Sequence, residues 1–114
     1  MSVEENKKLL KRQTQELWIE KNARKVDEFY SDDSTWNVAT DKTEAKKLLE
    51  QYFADTSRPH VISVDYHEMI GEGNVVAARQ TNHLSDGSSV EGVTVAEFKN
   101  GKITKNYWYT APQG

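Results

Sequence analysis

The sequence predicts an α+β fold in which three helices precede an antiparallel sheet. Apolar residues recur at helical spacing as far as Phe53, and from His60 onward they alternate with polar residues at the period of a strand. Short turns separate the later segments, and turns of hairpin length join only antiparallel neighbours. These observations favour segregated layers of helix and sheet in a single domain that spans residues 1–114.

Composition narrows the class of protein. The 114 residues include no cysteine and carry a net charge of −3, with a pI near 5.6. The lack of cysteine excludes disulfides and cysteine-based zinc sites, and the acidic balance argues against nucleic acid as a partner. No run of about 18 apolar residues occurs, so no membrane partner is predicted. The N-terminus lacks the apolar core of a signal peptide, so we expect a cytoplasmic protein.

The first helix is predicted from Val3 to about Lys21. Its apolar stripe should meet the sheet and comprises Leu10, Thr14, Leu17 and Trp18. Thr14 is the one hydroxyl in this stripe, and two roles are open for it. Its side chain can bond back to the carbonyl four residues earlier, or it can be a hydrogen-bond donor in a pocket.

A short helix, a short strand and a third helix follow. Asn22 can cap the short helix, which is predicted over 23–30, residues 31–34 are predicted as a turn, and residues 35–38 as a strand. Asp41 and Glu44 have the spacing of a capping box for the third helix. The buried stripe of that helix is predicted to be Ala45, Leu48, Leu49, Tyr52 and Phe53.

Four strands of a meander make up the second half of the chain. The last two, within residues 90–110, form a hairpin with two possible registers. A two-residue Asn100-Gly101 loop would pair Lys99 with Lys102, whereas a three-residue loop with a Gly101 bulge would pair Phe98 with Lys102. The three-residue loop sorts small and polar residues onto the face of Trp108, so we predict it. The opposite, outer face then carries Val93, Val95, Ile103, Tyr107 and Tyr109.

Four segments resemble the NTF2-like superfamily, in particular its SnoaL-like, polyketide-cyclase-like branch. They are ENKKLLKR, DEFYSDDSTWNVA, MIGEGNVVAARQT and VAEFKNGKITKNYW, the last of which is similar to the family pattern F-x-x-G-K-I followed by a Trp-bearing strand. The resemblance implies a cone in which a curved antiparallel sheet and the three N-terminal helices enclose a mostly apolar pocket. It also implies a homodimer formed through the outer sheet face, that is through Val93, Val95, Ile103, Tyr107 and Tyr109.

The family's enzymes imply less about chemistry, because their acids and bases are replaced in this chain. The acidic residue of the cyclases corresponds to Trp108, and the Asp base of the ketosteroid isomerases to Val38. Thr14 and Thr94 stand where those isomerases have their oxyanion-hole Tyr and Asp. In the Asp-Arg-Asp set of the epoxide hydrolases, Arg79 matches the arginine, while Thr81 and Trp108 replace the carboxylates.

With the strand phase of the family, the pocket would be an aromatic box with a few donors. Such a box suits a small apolar or aromatic ligand, including an anionic one. The inward residues are predicted to be Thr14, Trp18, Trp36, Val38, Arg79, Thr81, His83, Thr94, Asn106 and Trp108.

Arg79 and His83 are the candidate catalytic residues. A buried Arg79 would need an acceptor, either Glu68 or Asp65 of the protein or an anionic group of the ligand. His83 is the one inward histidine on this phase and would be the general acid or base, unless it is an exposed histidine at the rim. The other two histidines are expected at the surface. No metal and no cofactor are predicted.

Three hypotheses for function follow. The first is an isomerase, cyclase or hydrolase in which Arg79 stabilises an oxyanion. The second is a binding module with the same pocket and no chemistry. The third is an engineered enzyme on this scaffold, for luciferase-like oxidation or proton transfer, with which the compact length and the end at Pro112-Gln113-Gly114 are compatible.

Overall fold

The computed structural model describes residues 2–37 and 39–112. Its helices are α1 (Val3–Gln13), which continues as a π-helix over Thr14–Ile19, then a 3₁₀ turn (Ala23–Lys25) leading into α2 (Val26–Phe29), and α3 (Lys42–Ala54). Its strands are β1 (Tyr30–Trp36), β2 (Val61–Glu72), β3 (Val75–Leu84), β4 (Ser89–Lys99) and β5 (Lys102–Thr110). Within the described residues, no helix is long and apolar enough to span a membrane.

The strands form one mixed sheet in the order β1-β5-β4-β3-β2. The predicted meander of four antiparallel strands is confirmed, and β1 adds to its edge by pairing in parallel with β5. The turn predicted over residues 31–34 is wrong, because these residues belong to β1. Their pairing with β5 is interrupted between Tyr30 and Thr35, so this polar stretch is extended without the regular alternation of a strand.

Side-chain caps begin three of the helical segments, including the predicted Asn22 cap before the 3₁₀ turn. The Ser2 hydroxyl accepts a hydrogen bond from the Glu5 amide, and the Glu5 carboxylate accepts one from the Ser2 amide, which completes a capping box. The predicted cap of α3 is confirmed, because the Asp41 carboxylate accepts a 2.8 Å hydrogen bond from the Glu44 amide. Each cap gives a partner to an amide that the helix itself leaves unpaired.

The hydrophobic core lies between the helices and the concave face of the sheet. The predicted stripe of the first helix is confirmed, since Leu10 and Leu17 are at most 1% exposed. The core consists of Leu10, Leu17, Val26, Phe29, Tyr30, Leu49, Val76, Ala78, Ala96, Phe98 and Ile103.

The β4–β5 hairpin has a two-residue loop, so the predicted three-residue loop is wrong. Lys99 pairs with Lys102, and the two loop residues, Asn100 and Gly101, have φ angles of +52° and +77°. Such angles are typical of a type I′ turn, whose twist suits the flanking strands. The extra residue lies further along, because Phe98 pairs with Ile103 while Glu97 pairs with Lys105.

This bulge decides which side chains share a face. Beyond it, Trp108 lies with Thr94 on the concave face, and Val93, Val95, Tyr107 and Tyr109 lie on the outer face, as predicted. Ile103 precedes the bulge and is fully buried in the core. Its predicted place on the outer face is therefore wrong.

Candidate ligand-binding pocket

The concave face of the sheet and the first helix enclose a cavity of about 250 Å³, here called the inner cavity. It is lined by Gln13, Thr14, Trp18, Val61, Val64, Gln80, Asn82, Thr94, Asn106 and Trp108. A wider outer hollow of about 760 Å³ adjoins it, shares Trp18, Asn82 and Trp108 with it, and extends to α3 and Pro59. The described side chains that line the inner cavity are all uncharged.

Trp18 lines both the inner cavity and the outer hollow. It lies in the π-helical segment, and the wider turn of such a segment changes the direction of the side chains that follow. The indole ring makes edge contacts with Tyr52 and Phe53 of α3, with ring centroids 5.9 Å and 6.1 Å away. Edge contacts between aromatic rings are favourable, so Tyr52 and Phe53 support the position of Trp18 in the cavity wall.

Trp108 is a second aromatic residue that lines the inner cavity, and Gly92 on the neighbouring strand leaves space for its ring. A Cβ atom at Gly92 would lie 2.5 Å from the Trp108 ring and 2.4 Å from the carbonyl oxygen of Tyr109. The indole nitrogen donates a 2.8 Å hydrogen bond to Thr110 Oγ1. Trp108 therefore offers the cavity an apolar ring whose one donor is already used.

A chain of hydrogen bonds, here called the relay, includes three residues that line the inner cavity, Gln13, Thr14 and Asn106. Thr14 Oγ1 donates to the Leu10 carbonyl (3.1 Å) and accepts from Gln13 Nε2 (2.9 Å). Gln13 Oε1 accepts from the Tyr30 hydroxyl (2.7 Å), whose oxygen accepts from Asn106 Nδ2 (2.6 Å). The relay thus connects a carbonyl of the first helix to a side chain of β5.

Thr14 has the first of its two predicted roles. Besides the bond back to Leu10, its hydroxyl accepts a 2.8 Å hydrogen bond from the Tyr66 hydroxyl. All of its hydrogen-bonding capacity is used within the protein. Thr14 therefore lines the inner cavity without offering a free donor.

Burial determines the ionisation of Tyr30. The side chain is fully buried, and desolvation raises its pKa to about 12. Burial also raises the pKa of Tyr66. Both phenols are consequently neutral at physiological pH and serve as hydrogen-bond donors.

The predicted phase of β3 is wrong by one residue. Val76 and Ala78 are fully buried, and the inward side chains that follow them are Gln80 and Asn82. Arg79, Thr81 and His83 therefore lie on the outer face, because successive side chains of a strand point to opposite sides. The run Val75-Val76-Ala77-Ala78 is apolar on both phases, so the alternation could not decide between them.

The two candidate catalytic residues thus lie outside the pocket. Arg79 pairs with Glu68 at 3.7 Å, and both side chains are more than half exposed. His83 Nε2 lies 2.7 Å from Asp65 Oδ2, and its side chain is 39% exposed. Thr81 is buried on the outer side, where its hydroxyl lies 2.7 Å from His67 Nε2.

The remaining predicted residues fall into three groups. Thr14, Trp18, Thr94, Asn106 and Trp108 line the inner cavity as predicted. Trp36 lines the outer hollow and lies 4.6 Å from the Tyr30 ring. Val38 lies outside the described residues.

Sequence reasoning missed several residues of the site and misplaced one histidine. Gln13, Val61, Val64, Gln80 and Asn82 also line the inner cavity. The Gln-x-Asn spacing on β3 was a usable signal, since Gln80 Nε2 donates a 2.8 Å hydrogen bond to Asn82 Oδ1 on the same face. His60 is 5% exposed rather than at the surface, and its Nε2 bonds the Tyr52 carbonyl at 2.7 Å.

Comparison with known proteins gives the family. The sequence profile of the SnoaL-like domain matches residues 12–106. The chain belongs to the SnoaL-like family. No curated protein matches it at a significant level.

Solved structures agree with this assignment at the level of the fold. An epoxide hydrolase from M. tuberculosis described as LEH-like is 20% identical, with a TM-score of 0.75 over 96% of this chain and 84% of that one. A putative polyketide cyclase from Acidithiobacillus ferrooxidans is 20% identical, with a TM-score of 0.70 over 96% and 91% of the two chains. A de novo designed protein with a curved β-sheet is 18% identical, with a TM-score of 0.74 over 98% and 89%. The predicted NTF2-like, SnoaL-like architecture is confirmed.

Proposed function

We propose that this SnoaL-like protein binds a small, flat, uncharged apolar molecule in its inner cavity. The observation that carries the proposal is the lining itself, in which two indole walls, Trp18 and Trp108, face a cavity of about 250 Å³ that has only neutral polar groups. Aromatic walls provide most of the contact area for such a ligand. The few amides and hydroxyls would orient it.

An anionic ligand is disfavoured by the same lining. The arginine expected to anchor an anion, Arg79, is on the outer face and pairs with Glu68. A carboxylate or phenolate that entered the inner cavity would lose its hydration without gaining a cationic partner, and that loss is costly. A neutral ligand avoids this cost.

Binding without turnover fits the ionisation of the site better than acid–base catalysis. A general acid or base works best with a pKa close to the working pH. Tyr30 is the titratable group of the relay, and its pKa is raised to about 12. His83, the predicted acid or base, lies outside the cavity beside Asp65. We therefore propose that isomerisation, cyclisation and hydrolysis are not its activity.

Calorimetric titration with 2-naphthol and with 2-naphthoate at neutral pH tests this proposal. We expect the neutral naphthol to bind and the naphthoate to bind at least about tenfold more weakly, a difference of 1.4 kcal/mol. Chromatography of the ligand after prolonged incubation should recover it unchanged. Tighter binding of the naphthoate, or a product from the naphthol, would contradict the proposal.

Two matched valine substitutions locate the bound ligand. Val64→Phe places a ring in the inner cavity, whereas Val75→Phe places the same ring on the outer face of the next strand. We expect the first variant to weaken naphthol binding at least about tenfold and the second to leave it unchanged. Equal affinities of the two variants would show that the ligand binds elsewhere.

We also propose that a second copy of the chain covers the apolar patch on the outer face. One row across the sheet runs from Ile70 through Ala77 and Val95 to Tyr107, and Tyr109 lies in the next row. Ile70 is 60% exposed and Tyr109 is 54% exposed. Contiguous apolar surface of this kind is typical of an interface.

Sedimentation velocity at micromolar concentration tests this second proposal. The wild type should sediment as a dimer, and Val95→Glu should sediment as a monomer because a carboxylate would have to be buried in the interface. Ser89→Glu adds the same charge at an exposed position of the same strand and should remain dimeric. A monomeric wild type would reject the dimer.

A further inference from the structure

We infer that the inner cavity selects a ligand that donates a hydrogen bond, an N–H or O–H group, to Asn106 Oδ1. This inference rests on the proposed function and specifies the chemical class of the ligand. Its basis is the direction of the relay, which determines whether Asn106 offers the cavity an oxygen or an amide N–H. The direction follows from the number of hydrogen bonds that each orientation allows.

In the observed orientation the relay begins at a group that can only accept. The Leu10 carbonyl accepts a hydrogen bond from the Thr14 hydroxyl. Because this bond uses the one hydroxyl proton, Thr14 must accept from Gln13 Nε2. Gln13 Oε1 then faces the Tyr30 hydroxyl and accepts a hydrogen bond from it. The Tyr30 oxygen in turn accepts from Asn106 Nδ2. Each donor of the relay is thereby assigned. The side-chain oxygen of Asn106, Oδ1, takes no part in the relay.

The reversed orientation would lose one hydrogen bond. If both amides were turned over, Thr14 would donate to Gln13, Gln13 to Tyr30, and Tyr30 to Asn106. The Thr14 bond to Leu10, which measures 3.1 Å, would then have no proton. The observed relay has five hydrogen bonds when the one from Tyr66 is counted, and the reversed relay would have four. The observed direction is therefore the more stable one.

The oxygen of Asn106 is available to a ligand. Asn106 is half-buried and lines the inner cavity, and its Oδ1 has no hydrogen-bond partner among the described residues. A second amide of the lining shows the same surplus of acceptors, since Gln80 Oε1 is buried without a partner in the described part of the chain. A donor group on the ligand would satisfy an acceptor that the fold leaves unpaired.

A pair of isosteric probes measures this selectivity in the wild-type protein. Indole and benzofuran have nearly the same shape, but indole has an N–H donor where benzofuran has an ether oxygen. We expect indole to bind about tenfold more tightly than benzofuran in calorimetric titrations, which corresponds to 1.4 kcal/mol. In amide NMR spectra, the side-chain NH₂ signals of Asn106 should shift with indole more than with benzofuran.

Two leucine variants on β5 connect this preference to one side chain. Asn106→Leu removes the acceptor, so both probes then meet an apolar side chain. The ratio of the indole affinity to the benzofuran affinity should fall to about 1. Lys105→Leu makes the same replacement at the exposed neighbouring position, which points away from the cavity, and should keep the full preference. If Asn106→Leu does not fold, the wild-type ratio and the NMR shifts still decide the question.

The possible outcomes distinguish the inferred selectivity for a hydrogen-bond donor from the proposed binding of an apolar ligand in the inner cavity. Equal binding of the two probes, or tighter binding of benzofuran, overturns the donor selectivity and leaves the apolar pocket standing. A preference that persists in Asn106→Leu also overturns it, because the donor then pairs elsewhere. Failure of both probes to bind would reject the inference together with the proposed function.

Discussion

The two faces of β3 differ in the chemistry they present, although they alternate residue by residue along one strand. The concave face carries Gln80 and Asn82, which bond to each other in a cavity lined by uncharged groups. The outer face carries Arg79 and His83, which pair with carboxylates of β2 in partly exposed positions. The two side chains that were predicted to be catalytic therefore lie on the outer face.

This comparison shows how burial sorts polar residues. A neutral amide can enter a cavity because its partners satisfy it locally, whereas a guanidinium or imidazolium needs a counter-charge that also has to be desolvated. On the outer face, solvent and exposed carboxylates meet that need at little cost. The described side chains that line the inner cavity carry no charge, so a charge at this position could come only from a bound molecule.

The largest test of the comparison introduces the same carboxylate on each face of β3. Ala78 is fully buried, and its neighbour Ala77 lies on the outer face. We expect Ala78→Glu to lower the free energy of unfolding by about 4 kcal/mol or more, because the charge has no partner in the core. In the monomer, where no second copy covers the outer face, Ala77→Glu should cost less than about 1 kcal/mol. Urea denaturation of both variants measures the difference, and similar losses would mean that the two faces are not distinct.

Alkaline pH gives the next largest effect through Tyr30. Its pKa is raised from 10.0 to about 12 in the folded protein. The unfolded chain therefore releases this proton first, and the stabilisation, complete below pH 10, is lost as the pH rises toward 12. Each unit of pKa difference corresponds to about 1.4 kcal/mol. Tyr30→Phe should show a shallower fall in stability over this range, and an unchanged slope would contradict the burial of the phenol.

A smaller effect comes from removing one hydroxyl on each side of the sheet. Tyr30→Phe leaves Gln13 Oε1 and Asn106 Nδ2 without their partner. We expect it to cost about 1–3 kcal/mol at neutral pH. Tyr109→Phe removes a hydroxyl from a residue that is 54% exposed and should be nearly neutral. Thermal denaturation at several urea concentrations would detect the contrast, and a neutral Tyr30→Phe would show that the relay contributes little to stability.

The smallest effect is expected for Arg79→Ala. Its ion pair with Glu68 is 3.7 Å long and largely exposed, and such pairs contribute less than about 1 kcal/mol. Ligand affinity in the 2-naphthol titration should be the same as in the wild type. A loss of 2-naphthol affinity in this variant, with stability retained, would show that Arg79 contributes to ligand binding. The outer face of β3 would then not be separate from the binding site.

Much of the fold could be predicted from local signals along the chain. Helical periodicity located α1 and α3, and the Asp41 cap marked where α3 begins. Alternation and turn residues located the four strands of the meander. The concave placement of Trp18, Thr94, Asn106 and Trp108 was also correct. These features depend on neighbours that are close in sequence.

The wrong predictions concern residues whose side of the sheet changes when the strand is shifted by one residue. Val75-Val76-Ala77-Ala78 is equally apolar on both phases, so only packing against the helices assigns Arg79 to the outside. Ile103 similarly depends on a bulge that follows the turn. A local pattern carries no information on such offsets, because the energy that decides them comes from contacts with other elements.

By itself, the sequence determined the order of helices and strands, the family likeness and the residue types available to a pocket, because periodicity, capping and turn chemistry are local properties. Which polar groups face the inner cavity depends on the tertiary structure. It placed Gln13 and Tyr30 beside Asn106, although they are far apart in the chain, and so set the direction of the relay. A hydrogen-bond direction depends on all the partners in the network at once, and those partners meet only after the helices have packed onto the sheet.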